Sequence, residues 1–343
     1  MKIGLAYDLK SSAASDPGDP DDAAEELDSP ETVDALASEM KRLGHEPVYL
    51  GGGNGFLDNI RTSSVDFVFN IAEGKGVYRS REAQVPCVLE MLGIPYSGSD
   101  PLTLGLCLDK SWAKRVVQTA GVATPAYCLV SGPDDLAGAG ALSYPVIVKP
   151  AFEGSSKGIR LTSRVDRKEQ LPQAVNAVIG PYQQPALVEE FIPGREVTVG
   201  IVGNNPPRII AVMEVVPRNG AGGEFMYTLE VKRDWRSQVF YRCPPDLPGE
   251  CVARIEQAAL TVFQALQCRD MARIDFRIDG LNRPFFLEAN PLPGLSPVPS
   301  DLPIMAGLAG WTYSQLIESI LHAALLRCRM LEVGERHAHH ALV

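Results

Sequence analysis

The chain has 343 residues, 45% hydrophobic and 22% charged, with a formal net charge of −10. That length exceeds one typical domain and can bury a sizeable core. The acidic balance excludes a general nucleic-acid or anionic-membrane binder, which needs a basic face, and no apolar run reaches the length of a membrane span.

Met1 to Asp8 reads as a first strand rather than a signal peptide. Ser11 to Asp28, rich in Ser, Pro, Gly and Asp, reads as a solvated loop, with a lid that orders over a substrate as the alternative. Ser29-Pro30-Glu31 opens a helix with Ser as N-cap and Pro in the first turn. Val33, Leu36, Ala37, Met40 and Leu43 form its apolar face, and Gly44 ends it. Further strands are expected at 47–50, 65–71 and 94–96, with a helix at 82–92 between the last two. This alternation predicts a parallel sheet with helices on its faces, closing near Ser99-Asp100-Pro101. The run Gly51 to Gly55 lacks the G-x-G-x-x-G spacing and a P-loop lysine, so it reads as a flexible connection. The seven cysteines are scattered, odd in number and without CxxC spacing, which predicts reduced thiols in a cytoplasmic protein.

Tyr144 to Pro150 is a buried-looking strand that reaches Lys149. Glu153-Gly154-Ser155-Ser156-Lys157-Gly158 follows, then a returning strand at 159–162. Backbone N–H groups of such a small-residue flap can approach phosphates closely, and Lys149 adds a charge; an ordinary hairpin loop remains the alternative. At 185–200 an apolar strand runs into Glu189 and Glu190, and a Pro-Gly turn leads to Glu196 on the next strand. These carboxylates suit an adenine amine and ribose hydroxyls, or merely face solvent.

Arg273 to Ile278 alternates polar and apolar residues with period two, Asp279-Gly280 signals a turn, and Pro284 to Asn290 returns. With a loop of 280–283, Asp279 faces Pro284, Asp275 faces Glu288, and Arg273 faces Asn290. Opposed residues share a face, so two carboxylates would repel. A hard cation relieves that repulsion, and carboxylate and amide oxygens are what Mg²⁺ prefers. An exposed hairpin explains the alternation but not why one face holds only oxygen ligands and an arginine. The closing helix, about 312–326, buries Leu316, Ile317, Ile320, Leu321 and Ala324 in a core or a dimer surface.

Taken together, Val146-Ile147-Val148-Lys149-Pro150, Glu153-Gly154-Ser155-Ser156, Val188-Glu189-Glu190-Phe191, Arg273-Ile274-Asp275 and Leu287-Glu288-Ala289-Asn290 resemble the ATP-grasp superfamily, and within it the D-alanine–D-alanine ligase family. Leu92 to Ser99 and Leu108-Asp109-Lys110 also resemble it, so the likeness runs in order along nearly the whole chain. It implies an α/β fold: an N-terminal parallel-sheet domain (1–100) and two ATP-grasp subdomains (101–190 and 191–328) clasping the nucleotide, then a tail (329–343). The activity implied joins a carboxylate to an amine through an acyl phosphate, at the expense of ATP. By resemblance Lys110, Lys149 and Lys232 contact phosphates, and the 153–158 loop closes over them. Glu189 and the Ile192 backbone read adenine, Glu196 holds the ribose, and Glu190, Phe191 and Phe286 complete the nucleotide site. Asp275, Glu288 and Asn290 hold two Mg²⁺ ions, replaceable by Mn²⁺. Arg273 is catalytic, stabilising the transferring phosphoryl group, with Ser155 and Lys232 beside it. The partners implied are small carboxylate and amine substrates, amino acids among them, with no nucleic acid and no membrane; a homodimer is expected.

The sequence departs from the family on the amino-acid side. Lys10-Ser11-Ser12 and the acidic loop replace a Ser–Glu motif, with Glu31 standing in for the glutamate. Arg233 replaces a tyrosine, leaving only Ser155 of a serine–tyrosine–glutamate set. Gly294 and Ser300-Asp301 fall where a Ser-Leu pair binds the acceptor carboxylate, and Asp301 would repel one. A ligase with altered substrates is therefore expected, with a true D-alanine–D-alanine ligase, an ATP-grasp kinase or a nucleotide-binding regulatory protein as alternatives. The histidines at 337, 339 and 340 are expected in a disordered tail.

Overall fold

A computed structural model describes residues 1–12, 18–218, 220, 222–298 and 300–331. The tail histidines at 337, 339 and 340 lie outside them.

The first sheet is parallel, with β1 (Lys2–Ala6) between β2 (Glu46–Gly51) and β3 (Phe67–Asn70). Its strands are apolar because helices cover both faces. The helix Pro30–Arg42 begins as its sequence dictates: the Ser29 hydroxyl accepts from the Thr32 N–H at 3.4 Å, and Val33, Leu36, Ala37 and Met40 are buried. Its core is shared with the far end of the chain, because Leu316, Ile317, Ile320 and Leu321 of the helix Tyr313–Arg327 pack with Ile3, Leu5, Val33 and Phe67.

Three local expectations are corrected. The glycine run is no loose connection: a helix spans Gly53–Thr62, burying Phe56 and Ile60. The strand expected at 94–96 reduces to one bridge between Val68 and Tyr96. The expected helix at 82–92 starts as a 3₁₀ turn, Arg81–Ala83, and turns α-helical at Gln84–Leu92.

The second sheet has the order β4 (Tyr127–Val130), β7 (Ala186–Glu190), β5 (Val146–Pro150), β6 (Arg164–Val165), backed by the helix Leu171–Tyr182. The strand expected at 159–162 is irregular; pairing with β5 resumes only at β6. The third sheet is antiparallel, in the order β10 (Val239–Arg242), β9 (Arg208–Pro217), β8 (Arg195–Val202), β11 (Met271–Ile278), β12 (Pro284–Asn290). The helices Lys110–Thr119 and Gly249–Ala265 contribute to the core on its apolar face. Its polar face and the second sheet line the cleft. Among the described residues no helix is long and apolar enough to cross a membrane.

Candidate active site between the second and third sheets

The site is built from strand alternation. Arg273, Asp275 and Arg277 of β11 point to one face. Across from them stand Asn290 and Glu288 on β12, and Thr198 and Glu196 on β8. The pairs Asp275–Glu288 and Arg273–Asn290 are those expected, but the route to them differs. The turn opens at Ile278–Pro284, one residue earlier than expected, and a bulge between Asp275 and Phe276 restores the register. Asp279 therefore does not face Pro284; its carboxylate closes the turn, accepting from Leu281 N–H (2.9 Å) and Arg283 N–H (2.8 Å).

The bulge also decides what happens to Phe286. Its ring turns into the core, fully buried and edge-on to Phe276 at 6.2 Å. Leu287 lines the cleft instead. That cleft, about 500 Å³, is lined by Ile147, Phe191, Ile192, Met226 and Tyr227, with Lys149, Glu189, Glu190, Glu196 and Arg277 as its charges. Register puts Ile147 opposite Glu189, so Lys149, two residues on, shares their face. Lys149 Nζ lies 2.5 Å from Glu189 Oε1, and Lys114 Nζ lies 2.9 Å from Oε2. Burial would raise the Glu189 carboxyl, but these two ammonium groups hold it down at about 2. Burial lowers Lys114 to about 8. Glu190 accepts from Ser143 N–H at 2.7 Å, and Glu196 pairs with Arg277 at 3.2 Å. The Ile192 carbonyl accepts from Arg277 at 2.8 Å, and that guanidinium also lies over the Phe191 ring at 4.7 Å.

A second hollow is lined by Lys110, Glu82, Glu153, Gly154, Glu288 and Asn290. Lys110 Nζ reaches Glu288 at 3.3 Å and donates to the Glu153 carbonyl. Burial opposes ionisation of Glu288, yet Lys110, Lys149 and Arg273 hold it at about 2. Asp275 is pushed up by burial, and Glu288 adds to the push. It accepts from Thr198 (2.6 Å), Arg273 (3.0 Å) and Asn290 (3.2 Å). Among the described residues no three His, Cys, Asp or Glu side chains are gathered as a metal cage needs. Two facing carboxylates and an amide suit Mg²⁺ that arrives with a nucleotide and keeps phosphate and water oxygens as its other ligands.

Beyond the hairpin, Arg273 Nη1 meets Asp301 Oδ2 at 3.3 Å, and Tyr241 donates to Asp301 at 3.3 Å. Lys232, in the helix Leu229–Arg233, makes no ion pair among the described residues; burial lowers it, and Arg273 adds to that while Asp301 opposes it. Ser155 and Ser156 sit at the crest of the loop with φ of 50° and 60°. Ser300 caps the helix Asp301–Leu308, and its hydroxyl accepts from Ser296 N–H. A Cβ on Gly294 would come within 2.8 Å of that hydroxyl and would push the Ser300 side chain aside.

Glu31 is not brought to this site. It is exposed in the first turn of its helix, bonded to Ser29. The glutamate that arrives is Glu26, from the loop read as solvated. Its carboxylate accepts from Arg81 (2.6 Å), from Lys157 (3.3 Å) and from Gly154 N–H. Arg233 likewise turns to this segment, pairing with Asp21 and Glu25, both at 3.1 Å. Sequence reasoning also missed Lys114 and Thr198, though both left a signal: Lys114 is one helical turn beyond Lys110, and Thr198 is two residues beyond Glu196 on a strand. Arg81 and Glu82 stand in a stretch, Arg79 to Glu82, that takes the place of an acidic segment of the family, but Arg81's partners, 55 to 72 residues away, left no local sign.

Comparison with known proteins bears on the family and the fold. Residues 116–322 match the family model described as D-ala D-ala ligase C-terminus. A D-alanine–D-alanine ligase of Desulforudis audaxviator is 32% identical over 84% of this chain and 91% of its own length. An uncharacterized protein of Sinorhizobium fredii, y4sG, is 36% identical over 85% of this chain and 87% of its own. Among solved structures, the D-alanine–D-alanine ligase of Bacillus anthracis is 26% identical, covering 96% of this chain and 99% of that one, with a TM-score of 0.72.

Proposed function

Because this chain belongs to the D-alanine–D-alanine ligase family, and so is an ATP-dependent ligase that joins a carboxylate to an amine, we propose that it couples a small amino-acid-type carboxylate to an amine that carries no carboxylate of its own. The observation that carries this reading is Asp301 on Arg273. The guanidinium already pairs with Asp275 on one side and Asp301 on the other. An acceptor carboxylate would have to compete with Asp275 and Asp301 for Arg273 and would meet the like charge of Asp301 beside it.

The residues divide the work by charge. The apolar cleft takes the base, with Glu189 at its edge and Glu196 toward the sugar. Lys149 and Lys110 exchange their carboxylate partners for phosphate oxygens. Asp275, Glu288 and Asn290 would hold Mg²⁺, which supplies charge neutralisation for the phosphates. Phosphoryl transfer needs positioning and charge neutralisation more than covalent help. Lys232, unpaired and facing Arg273, suits the travelling phosphoryl group. The substrate carboxylate attacks the terminal phosphorus and ADP departs. The amine then attacks the acyl carbon, with Arg273 stabilising the oxyanion, and phosphate leaves. The acyl phosphate is open to hydrolysis, so the 153–158 loop serves by excluding water.

The D-alanine–D-alanine ligases among the relatives favour a second reading, true D-alanine–D-alanine ligation. ADP release with D-alanine alone separates the two. The first reading expects little ADP with D-alanine alone and amide product, by mass, when amines lacking a carboxylate are added to a panel of amino acids. It also expects Asp301→Ser to raise turnover with D-alanine. Full turnover of the wild type with D-alanine alone would sink it.

A further inference from the structure

The acidic segment is absorbed by neither the nucleotide site nor the acceptor argument, yet two of its side chains, Asp22 and Glu26, are among the buried charges of the chain. Residues 18–28 run as successive turns, with Ala23 N–H to Pro20 O at 3.0 Å and Glu25 N–H to Asp22 O at 2.9 Å. The turns project acids at both ends of the phosphate-facing loop. Asp22, 1% exposed, accepts from Gly158 N–H at 2.9 Å and from the Tyr182 hydroxyl at 2.9 Å. Glu26 accepts from Gly154 N–H, and a Cβ on Gly154 would approach its Oε1 to 2.8 Å. Between them Arg81, 4% exposed, donates to the Phe152 carbonyl (2.6 Å), Glu26 (2.6 Å) and Glu153 (3.1 Å). Lys157 closes the set on Glu153 at 2.5 Å. Outside it, Asp21 and Glu25 hold Arg233 of the lysine-bearing helix, and Asp21 also pairs with Arg160.

We propose that residues 18–28 are a latch that holds loop 153–158 closed over the cleft without help from nucleotide, with Asp22 and Glu26 gripping its two ends and Arg81 bracing them. The loop needs such a hold. Two successive non-glycine residues at positive φ, Ser155 and Ser156, cost about 1 kcal/mol or more each. A short loop facing solvent would not keep that conformation unaided. The latch takes the amides at the ends and leaves those at the crest: among the described residues neither Ser155 nor Ser156 N–H donates to a protein acceptor. Adjacent amides in a turn form a concave anion site. A loop held at its ends and open at its crest is preorganised for phosphate. The charge-assisted bonds that hold it are of the strong, water-excluded kind. Asp22, Glu26 and Arg81 are thus positioning residues: they act through the loop.

This inference rests on the ligase reading only for what the closed loop shields. The test is amide hydrogen exchange on the full-length protein, following peptides over 153–160, with and without AMP-PNP and Mg²⁺. While the unbonded crest amides exchange freely, nucleotide-free wild type should exchange the bonded amides of Gly154, Lys157, Gly158 and Ile159 slowly. The double variant Asp22→Asn, Glu26→Gln should exchange them at least tenfold faster, with β5 and β11 unchanged, and should recover protection when AMP-PNP is added. Exchange at random-coil rates in nucleotide-free wild type overturns the latch without any variant, as does slow exchange in the double variant. Failure of the nucleotide reading has a separate signature, since AMP-PNP would then protect neither β5 nor β7.

Discussion

The β11–β12 hairpin and the segment 18–28 both deliver carboxylates to the same cleft, by opposite means. In the hairpin, Asp275 and Glu288 are placed by the period of two, by a turn three to four residues away and by the bulge that restores the register. In the segment, Asp22 and Glu26 are placed by partners such as Gly158 and Arg81, 136 and 55 residues distant in sequence. The charge states differ as well. Lysines and an arginine hold Glu288 at about 2 against its burial. Burial drives Asp28, at the end of the acidic segment, up to about 7, with Asp8 adding to it. The difference is not one of strand against turn: Arg81 and Lys157 hold Glu26 at about 2 against its burial, whereas burial pushes Asp275 up on its strand, so each carboxylate's state follows the cations packed against it.

The comparison can be broken first at the hairpin. Arg273→Ala should lower kcat by roughly 10³-fold, the scale of removing an arginine from a phosphoryl-transfer site, while ATP affinity measured by calorimetry stays within a few-fold of wild type. Turnover left intact would remove Arg273 from the chemistry.

Next comes the support beneath the nucleotide cleft. Lys114→Met removes one of the two cations on buried Glu189, and breaking a buried ion pair costs about 3–5 kcal/mol. The melting temperature should fall, and the KM for ATP should rise more than kcat falls, because Lys149 then stays bound to Glu189. An unchanged KM for ATP would show that Lys114 acts in stability alone.

A third effect is pH-dependent. Asp28 has an ordinary value of 3.8 and is raised to about 7 in the fold. The folded protein therefore binds this proton more tightly than the unfolded chain, and folding takes a proton up. Its contribution to stability falls as pH rises from about 4 to about 7 and stays low above that. Asp28→Asn should thus stabilise by roughly 2 kcal/mol more at pH 8 than at pH 4, read from denaturant midpoints. The same stabilisation at both pH values would mean that Asp28 titrates normally. The smallest effect is expected at Glu31→Gln. Exposed in its first turn, it should leave the melting temperature nearly unchanged and change turnover by less than twofold; a large loss of turnover would return Glu31 to the site.

The parallel first sheet, the polar face of the hairpin and the short motifs that carry the family resemblance were legible because each is local. A helix cap at Ser29, alternation from Arg273 to Ile278 and a strand reaching Lys149 can be read within a dozen residues. Where a local signal was weak the reading slipped: glycines at 52–55 hid a helix, and a one-residue bulge sent Phe286 to the core and Leu287 to the cleft.

By itself, then, the sequence determined most of the strands, their faces and the oxygen-bearing side chains that converge on a hairpin, since strand periodicity ties side-chain direction to position along the chain. Only the tertiary structure decided which acid answers which cation: Glu26 rather than Glu31 at the loop, Asp301 on Arg273, Lys114 under Glu189. Electrostatic partners are chosen by distance and burial in space, and neither is written in the spacing of residues along a chain.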